Sequence, residues 1–262
     1  MGFLLDIFKR HEMIRTLALR DFQSRYAATV AGSLWTLLHP VAVVTVFYFV
    51  FSVGFKAKGP GDTPFILWFV SGLVAWFYFN DTLIAITDCV TRNGHLVKKT
   101  IFPVEVLPLV QILSALIPHM IFLVIVAALL EFNNVSFAPF RLLVVYFIFC
   151  ATVLLLGLGW LLSALQVFYR DIAQVLTIVL NLWFWVTPIV WAPELMPEKY
   201  HWVFTWNPVH YLVDGYRGML IHPQPVWPDA AQTLHFWGVT LLVLALGVAV
   251  FRRLKPEFAD VL

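Results

Sequence analysis

Apolar residues run almost unbroken through six stretches of this chain, at 34–55, 64–87, 104–130, 142–168, 172–191 and 234–251. Each approaches the roughly twenty residues that carry a helix across about 30 Å of hydrocarbon, so the pattern predicts an all-α membrane protein with six transmembrane helices. Ahead of the first stretch, Phe3, Leu4, Ile7, Phe8, Ile14 and Ala18 recur at helical spacing, with Asp6, Lys9, Glu12 and Arg20 largely opposite, although Leu5, Arg15 and Leu17 break the pattern. This predicts an N-terminal amphipathic helix lying in the membrane interface. Arg20, Asp21 and Arg25 stop the apolar run, and the four-residue spacing of Asp21 and Arg25 lets the two meet on one helical face. The chain then turns at Gly32 into the first span, with Trp35 at headgroup depth. Residues 1–30 form an interfacial or gate segment, and 31–262 the transmembrane domain.

Charge sets the expected orientation. Lys9, Arg10, Arg15, Arg20, Arg25, Arg92, Lys98, Lys99, Arg170, Arg252, Arg253 and Lys255 share one side under this topology, against Lys56, Lys58, Arg141, Lys199 and Arg217 on the other. A twelve-to-five bias predicts both termini in the cytoplasm, because short cytoplasmic loops hold Lys and Arg. No cleavable signal peptide is visible at the start, and the first span is expected to act as its own insertion signal.

Two connections are too elaborate for plain turns. The cytoplasmic one, 88–103 (DCVTRNGHLVKKTIFP), can turn at Asn93-Gly94 and pack Leu96, Val97, Ile101 and Phe102 on a surface. It reads either as a surface helix attracted to anionic lipid or as a short helix that docks on a soluble partner. The outer one, 192–233, holds six prolines and two apolar stretches, 200–204 and 209–220, too short to cross. Re-entrant half-helices separated by Asn207-Pro208 are the natural reading, since irregular backbone at membrane depth must be shielded by protein or line a cavity. Arg170-Asp171 makes a short cytoplasmic corner whose bland role is to cap helices. Gly157, Gly159, Ser163 and Ala164 allow close helix approach.

Composition narrows the function. With 61% hydrophobic and 12% charged residues and a mean hydropathy of +0.85, the chain is far less polar than a soluble globule, in which about a quarter of residues are charged. Nucleic acid is not an expected partner. Cys89 and Cys150 sit in or beside apolar runs and read as inert buried thiols. The only G-x-x-x-x-G string, at 54–59, continues into Pro60-Gly61 instead of the Lys-Ser/Thr that completes a phosphate cradle. The residues thus show no energy source. A membrane enzyme acting on lipid-linked sugars is the rival class, with Asp81 its most plausible carboxylate. No second carboxylate or nearby histidine is evident to pair with it, and His39 and His119 each adjoin a proline with no spacing to further metal ligands. Trp202, Trp206 and other aromatics gather at the outer end as an interfacial belt or as stacking faces. With them Trp68, Trp76, Phe77, Trp183 and Trp185 are candidates to line a channel.

Several strings carry a resemblance. Leu19-Arg20-Asp21-Phe22, Arg25-Tyr26 and Gly32-Ser33-Leu34-Trp35 with Pro40 resemble the N-terminal signature of membrane subunits of ABC-2-type polysaccharide exporters, although Ala27-Ala28 and Ala31 depart from it. Asn93, Leu96, Lys98, Lys99, Phe102 and Pro103 resemble that family's coupling element; Tyr169-Arg170-Asp171, Thr187-Pro188, Asn207-Pro208 and Tyr216-Arg217 resemble further hallmarks. In the second span Ala75 stands where a proline is common. The resemblance implies a permease of an O-antigen-type exporter in the bacterial inner membrane, with capsular polysaccharide or teichoic acid as alternative cargoes. It implies two copies around a channel, a polyprenyl-linked polysaccharide as cargo, and a cytoplasmic ATPase that binds ATP and magnesium while the permease holds no cofactor. Arg20, Arg25 and Tyr26 would then gate the lipid headgroup, with the two arginines attracting a pyrophosphate. Residues 93–103 with Arg170 and Asp171 would meet the ATPase.

Overall fold

A computed structural model of the chain describes residues 10–26, 32–61, 63–98 and 102–262. The expected helical residues at 3–8, Ala27, Ala28, Ala31 and Lys99 lie outside the described residues, as does the side chain of Tyr26. The elements used below are α1 (His11–Tyr26), α2 (Trp35–Phe47), α3 (Phe65–Thr87), α4 (Leu107–Phe132), α5 (Val144–Phe168), α6 (Ile172–Val186), α7 (Pro208–Leu220) and α8 (Ala230–Leu254). Among the described residues every element is helical. α2 continues as a π-helical turn over Tyr48–Gly54.

Among the described residues five helical segments are long and apolar enough to cross a membrane: Trp35–Gly54, Phe65–Thr87, Val104–Phe132, Pro139–Phe168 and Ala230–Val261. The fifth predicted span, 172–191, stops short. α6 has 15 residues, about 22 Å of helix at 1.5 Å per residue, and ends where Pro188 forces Thr187 into an extended conformation (ψ 126°). The expected run to Trp191 therefore breaks five residues early, at Val186. α8 starts at Ala230, earlier than its apolar run.

α3 is the hub: 78% of its most apolar stretch is buried, against 11% for the first span. It is clasped by α4, α5, α6 and α7, with Phe69, Val74, Phe79 and Ile86 fully enclosed. α2 instead turns Leu37, Leu38, Val41, Val46 and Phe49 outward, and α6 does the same with Val175, Ile178 and Leu182. Such faces suit hydrocarbon, where lipid tails are as apolar as the side chains.

α5 and α8 make the closest helix pair. A Cβ built on Gly157 would lie 2.7 Å from Leu244 N, and one on Gly247 would lie 2.1 Å from Gly157 O. A Cβ on Gly159 would meet Ile86 at 2.5 Å. The small residues expected to permit close approach therefore do so, and Gly247 supplies the other half of the contact. The chain folds back and forth so that α1, residues 88–98 and 102–106, the 168–172 corner and the C-terminus share one end; 55–61, 63–64, 133–143 and 187–229 share the other.

Candidate functional site

At the end that carries the termini, α1 lies along α4. Ile14 and Ala18, four residues apart, enter a core with Val90, Val97, Val110, Trp160, Phe251 and Phe258. The same face continues into Asp21 and Arg25, whose spacing predicts a pair on one helical face. The fold closes that pair into a ring on α4. Asp21 Oδ1 accepts from Gln111 Nε2 (2.9 Å), and Oδ2 accepts from Ser114 Oγ (2.7 Å) and Arg25 Nε (3.0 Å). Arg25 Nη2 donates to Gln111 Oε1 at 2.8 Å.

Burial by itself would raise the Asp21 carboxyl. The bonds from Gln111 and Ser114 and the Arg25 charge outweigh it and hold the pKa below the ordinary aspartate value. A folded-state pKa below the unfolded one stabilises at pH above the unfolded value, 3.8, and that contribution disappears as pH falls through the folded value. Docking of α1 should accordingly hold at neutral pH and loosen below about pH 4. Asp21→Asn should cost about 1 kcal/mol at pH 7, a modest figure because the pair is partly solvated. Hydrogen exchange of the α1 amides would show this as several-fold faster exchange; unchanged protection in Asp21→Asn would count against the ring.

Residues 88–98 form two four-residue helices, Cys89–Arg92 and Gly94–Val97. Asn93 Nδ2 donates to Cys89 O (2.8 Å) across the break between them. Val97 and Pro103 are buried, Leu96 and Phe102 half-buried and Lys98 exposed. A cavity of about 220 Å³ is lined by Arg20, Asp21, Asn93, Leu96 and Gln111, so the N-terminal signature and the 88–103 connection meet across α4. Gln166 ties in the corner. Its Nε2 lies 3.2 Å from both Asp88 Oδ1 and Arg170 O, and its Oε1 accepts from Ala173 N at 2.9 Å. Arg170 and Asp171 themselves are exposed. Lys255 Nζ meets Glu105 Oε2 at 2.5 Å, and a Cβ on Gly94 would touch Leu262 at 3.8 Å, so the C-terminal segment backs the connection.

Above this lies a cavity of about 260 Å³ lined by Arg25, Trp35, His39, Phe77, Asp81 and His119, among others. No spacing in the sequence links a histidine to Asp81, yet the fold brings His39 and His119 to the same cavity, because α2 and α4 both flank α3 here. Asp81 is open to the cavity and accepts from Asn80 Nδ2 at 2.8 Å. His119 is already engaged, with Nε2 2.9 Å from Tyr216 Oη and its ring 4.5 Å from that of Tyr78. Cys89 and Cys150 are buried, as expected.

At the far end, three separate motifs form one knot. Asn207 caps α7 by accepting from Val209 N (3.0 Å), accepts from Trp183 Nε1 (2.9 Å), and donates to Thr187 Oγ1 (2.9 Å). Pro208 fills the first helical position, where a missing N–H costs nothing. Arg217, 5% exposed, donates to the carbonyls of Trp68 (3.2 Å), Pro188 (2.8 Å) and Ile189 (3.1 Å). Its guanidinium also lies 3.6 Å over the Trp68 ring. The break after α6 leaves carbonyls without helical partners, and Arg217 satisfies them. Gly72 is required beneath it, since a Cβ there would sit 2.8 Å from Arg217 Nη2.

The aromatic candidates separate by placement. Trp68 and Trp76 are enclosed in the core; Phe77 and Trp183 are half-buried, Phe77 at the 260 Å³ cavity and Trp183 on Asn207. Trp185, Trp202 and Trp206 are exposed. Gln111, Ser114, Gln166 and Gly247 passed unnoticed in the sequence, because each draws its role from a distant neighbour.

The multi-pass helical bundle, with its built-up end connection and a polar cavity beside its hub helix, is the framework of a membrane transport subunit, a class that rests on the family match and the transport-named relatives. The chain belongs to the ABC-2 type transporter family, whose pattern it matches over residues 12–221. It is similar to the O-antigen export system permease protein RfbA of Klebsiella pneumoniae, at 25% identity over 100% of this chain and 97% of that protein. The RfbA protein of Myxococcus xanthus is 24% identical over 97% of each chain. The polysialic acid transport protein KpsM of Escherichia coli is 22% identical over 91% of this chain and 92% of its own.

Proposed function

We propose that this chain forms the transmembrane passage of an ATP-driven exporter of lipid-linked polysaccharide, of O-antigen type, in the bacterial inner membrane with both termini cytoplasmic. The full-length similarity to O-antigen export permeases supports the cargo. The observation that carries the mechanism is the meeting of Arg20, Asp21, Asn93 and Leu96 around one cavity. An ATPase that holds ATP and magnesium pushes on the 88–103 connection and the Arg170-Asp171 corner. The push reaches α1 through this contact, and α1, hung on α4 by the Asp21 ring, moves with it.

Within this reading the exposed Arg20 attracts the pyrophosphate of a polyprenyl carrier, while Arg25 is shared between Asp21 and the 260 Å³ cavity. Two copies pair through outward apolar faces such as those of α2 and α6. The short helices Trp202–Thr205 and α7 act as re-entrant half-helices at the outer mouth. Of the aromatic set, the exposed Trp185, Trp202 and Trp206 are the ones able to stack on sugars without unpacking the core.

Co-expression with the ATPase tests the proposal. Lys98→Ala and Phe102→Ala should lower glycan export about tenfold while ATP hydrolysis continues, or else release the ATPase on purification. Wild-type export together with normal complex recovery in both variants would reject it.

A further inference from the structure

The far end of the bundle holds a further cavity, of about 350 Å³, between Pro60 and Thr63, the start of α3, the last turns of α7 and the chain leading into α8. Trp227 and Trp68 line it together with Glu194, Asp214, Asp229 and Gln232. Trp227 is half exposed and is supported from behind, with its ring 5.6 Å from that of Tyr146 and 5.8 Å from that of Phe147. Asp214 is held in place, with one oxygen 2.9 Å from His210 Nε2 and the other 3.6 Å from Arg217 Nη1.

Resting on the exporter reading, we infer that this cavity is a binding site for a neutral sugar residue of the exported glycan. A pyranose needs what the cavity offers: a flat ring to cover its C–H face, and carboxylate and amide oxygens that accept from its hydroxyls. The charge balance fixes the class. Three carboxylates, Glu194, Asp214 and Asp229, line the cavity against the guanidinium of Arg217 and the imidazole of His222. That guanidinium is spent on three carbonyls and the Trp68 face. An acidic sugar would bring its carboxylate against an unbalanced negative wall, so the site rejects sialic-acid-type residues while accepting neutral ones. Each permease would thereby hold the emerging chain one residue at a time at the outer mouth.

The test uses the full-length protein with its ATPase in lipid nanodiscs, so that no sugar-based detergent competes. Saturation-transfer NMR and tryptophan fluorescence would follow a panel of neutral trisaccharides built from mannose, galactose and N-acetylglucosamine, alongside oligosialic acid and calcium ion alone. At least one neutral trisaccharide should bind. Trp227→Ala and, independently, the exposed Asp229→Asn should each weaken that binding tenfold or more, and oligosialic acid should show no binding. No binding across the neutral panel, equal binding of oligosialic acid, unchanged affinity in both variants, or binding of calcium alone would each overturn the inference. If the panel fails while Lys98→Ala and Phe102→Ala still uncouple export, only this site falls. If the ATPase never associates with the chain, the exporter reading falls with it.

Discussion

Replacing Arg217 with alanine is expected to lower stability by about 3–5 kcal/mol, the scale for removing one partner from a buried charged network. The loss has identifiable parts. The carbonyls of Trp68, Pro188 and Ile189 lose their donor, Asp214 loses its nearby cation, and the Trp68 face loses the guanidinium stacked on it. In a chain of this length a change of that size corresponds to a fall of about 10 °C in melting temperature. Arg217→Lys keeps the charge but has no planar fork to reach three carbonyls, so it should melt between the two. A thermal melt in nanodiscs followed by intrinsic fluorescence decides the matter. Equal melting of Arg217→Ala and the parent would mean that the far-end knot does not hold the outer segments together.

The second large effect is steric. Gly247→Val places a branched side chain where even a bare Cβ would lie 2.1 Å from the Gly157 carbonyl oxygen, and backbone cannot give way as a flexible side chain can. α5 and α8 must separate, and we expect a loss of about 3 kcal/mol or more, at the upper end of the overpacking range. Gly238, on the same helix, has nothing within 4 Å of a built Cβ. Gly238→Ala should therefore be neutral or gain a few tenths of a kcal/mol from helix propensity. If both glycine variants melted alike, helix propensity instead of the α5–α8 contact would govern the site.

These two sites differ in how far they can be read from the residues. Arg217 stands in a recognisable Tyr-Arg pair and Asn207-Pro208 was visible as a break, whereas Thr187-Pro188 lay inside the predicted fifth span. That Arg217 satisfies the carbonyl of Pro188 and Asn207 the hydroxyl of Thr187 was not visible, since the partners lie 29 and 20 positions away. Gly247 carried no mark at all. The small residues of α5 were legible as an approach surface; their partner was one glycine among several. At the other end, the Asp21–Arg25 spacing announced a pair, whereas Gln111 and Ser114, 90 and 93 residues from Asp21, turned a surface contact into a docked ring. The predicted fifth span ends early, because its apolar run outlasts the helix that Thr187-Pro188 terminates.

By itself the sequence determined that this protein is a bundle of membrane helices and roughly where each begins and ends. Hydrocarbon obliges each crossing segment to satisfy its backbone internally, and that requirement is local, written in the length of an apolar run and in its prolines. Only the tertiary structure decided which face of each helix turns inward, which polar groups find one another, and where cavities remain. Between helices in lipid the hydrophobic effect no longer discriminates, so close fit at glycines and bonds between distant polar side chains choose the arrangement, and neither is encoded at any one position.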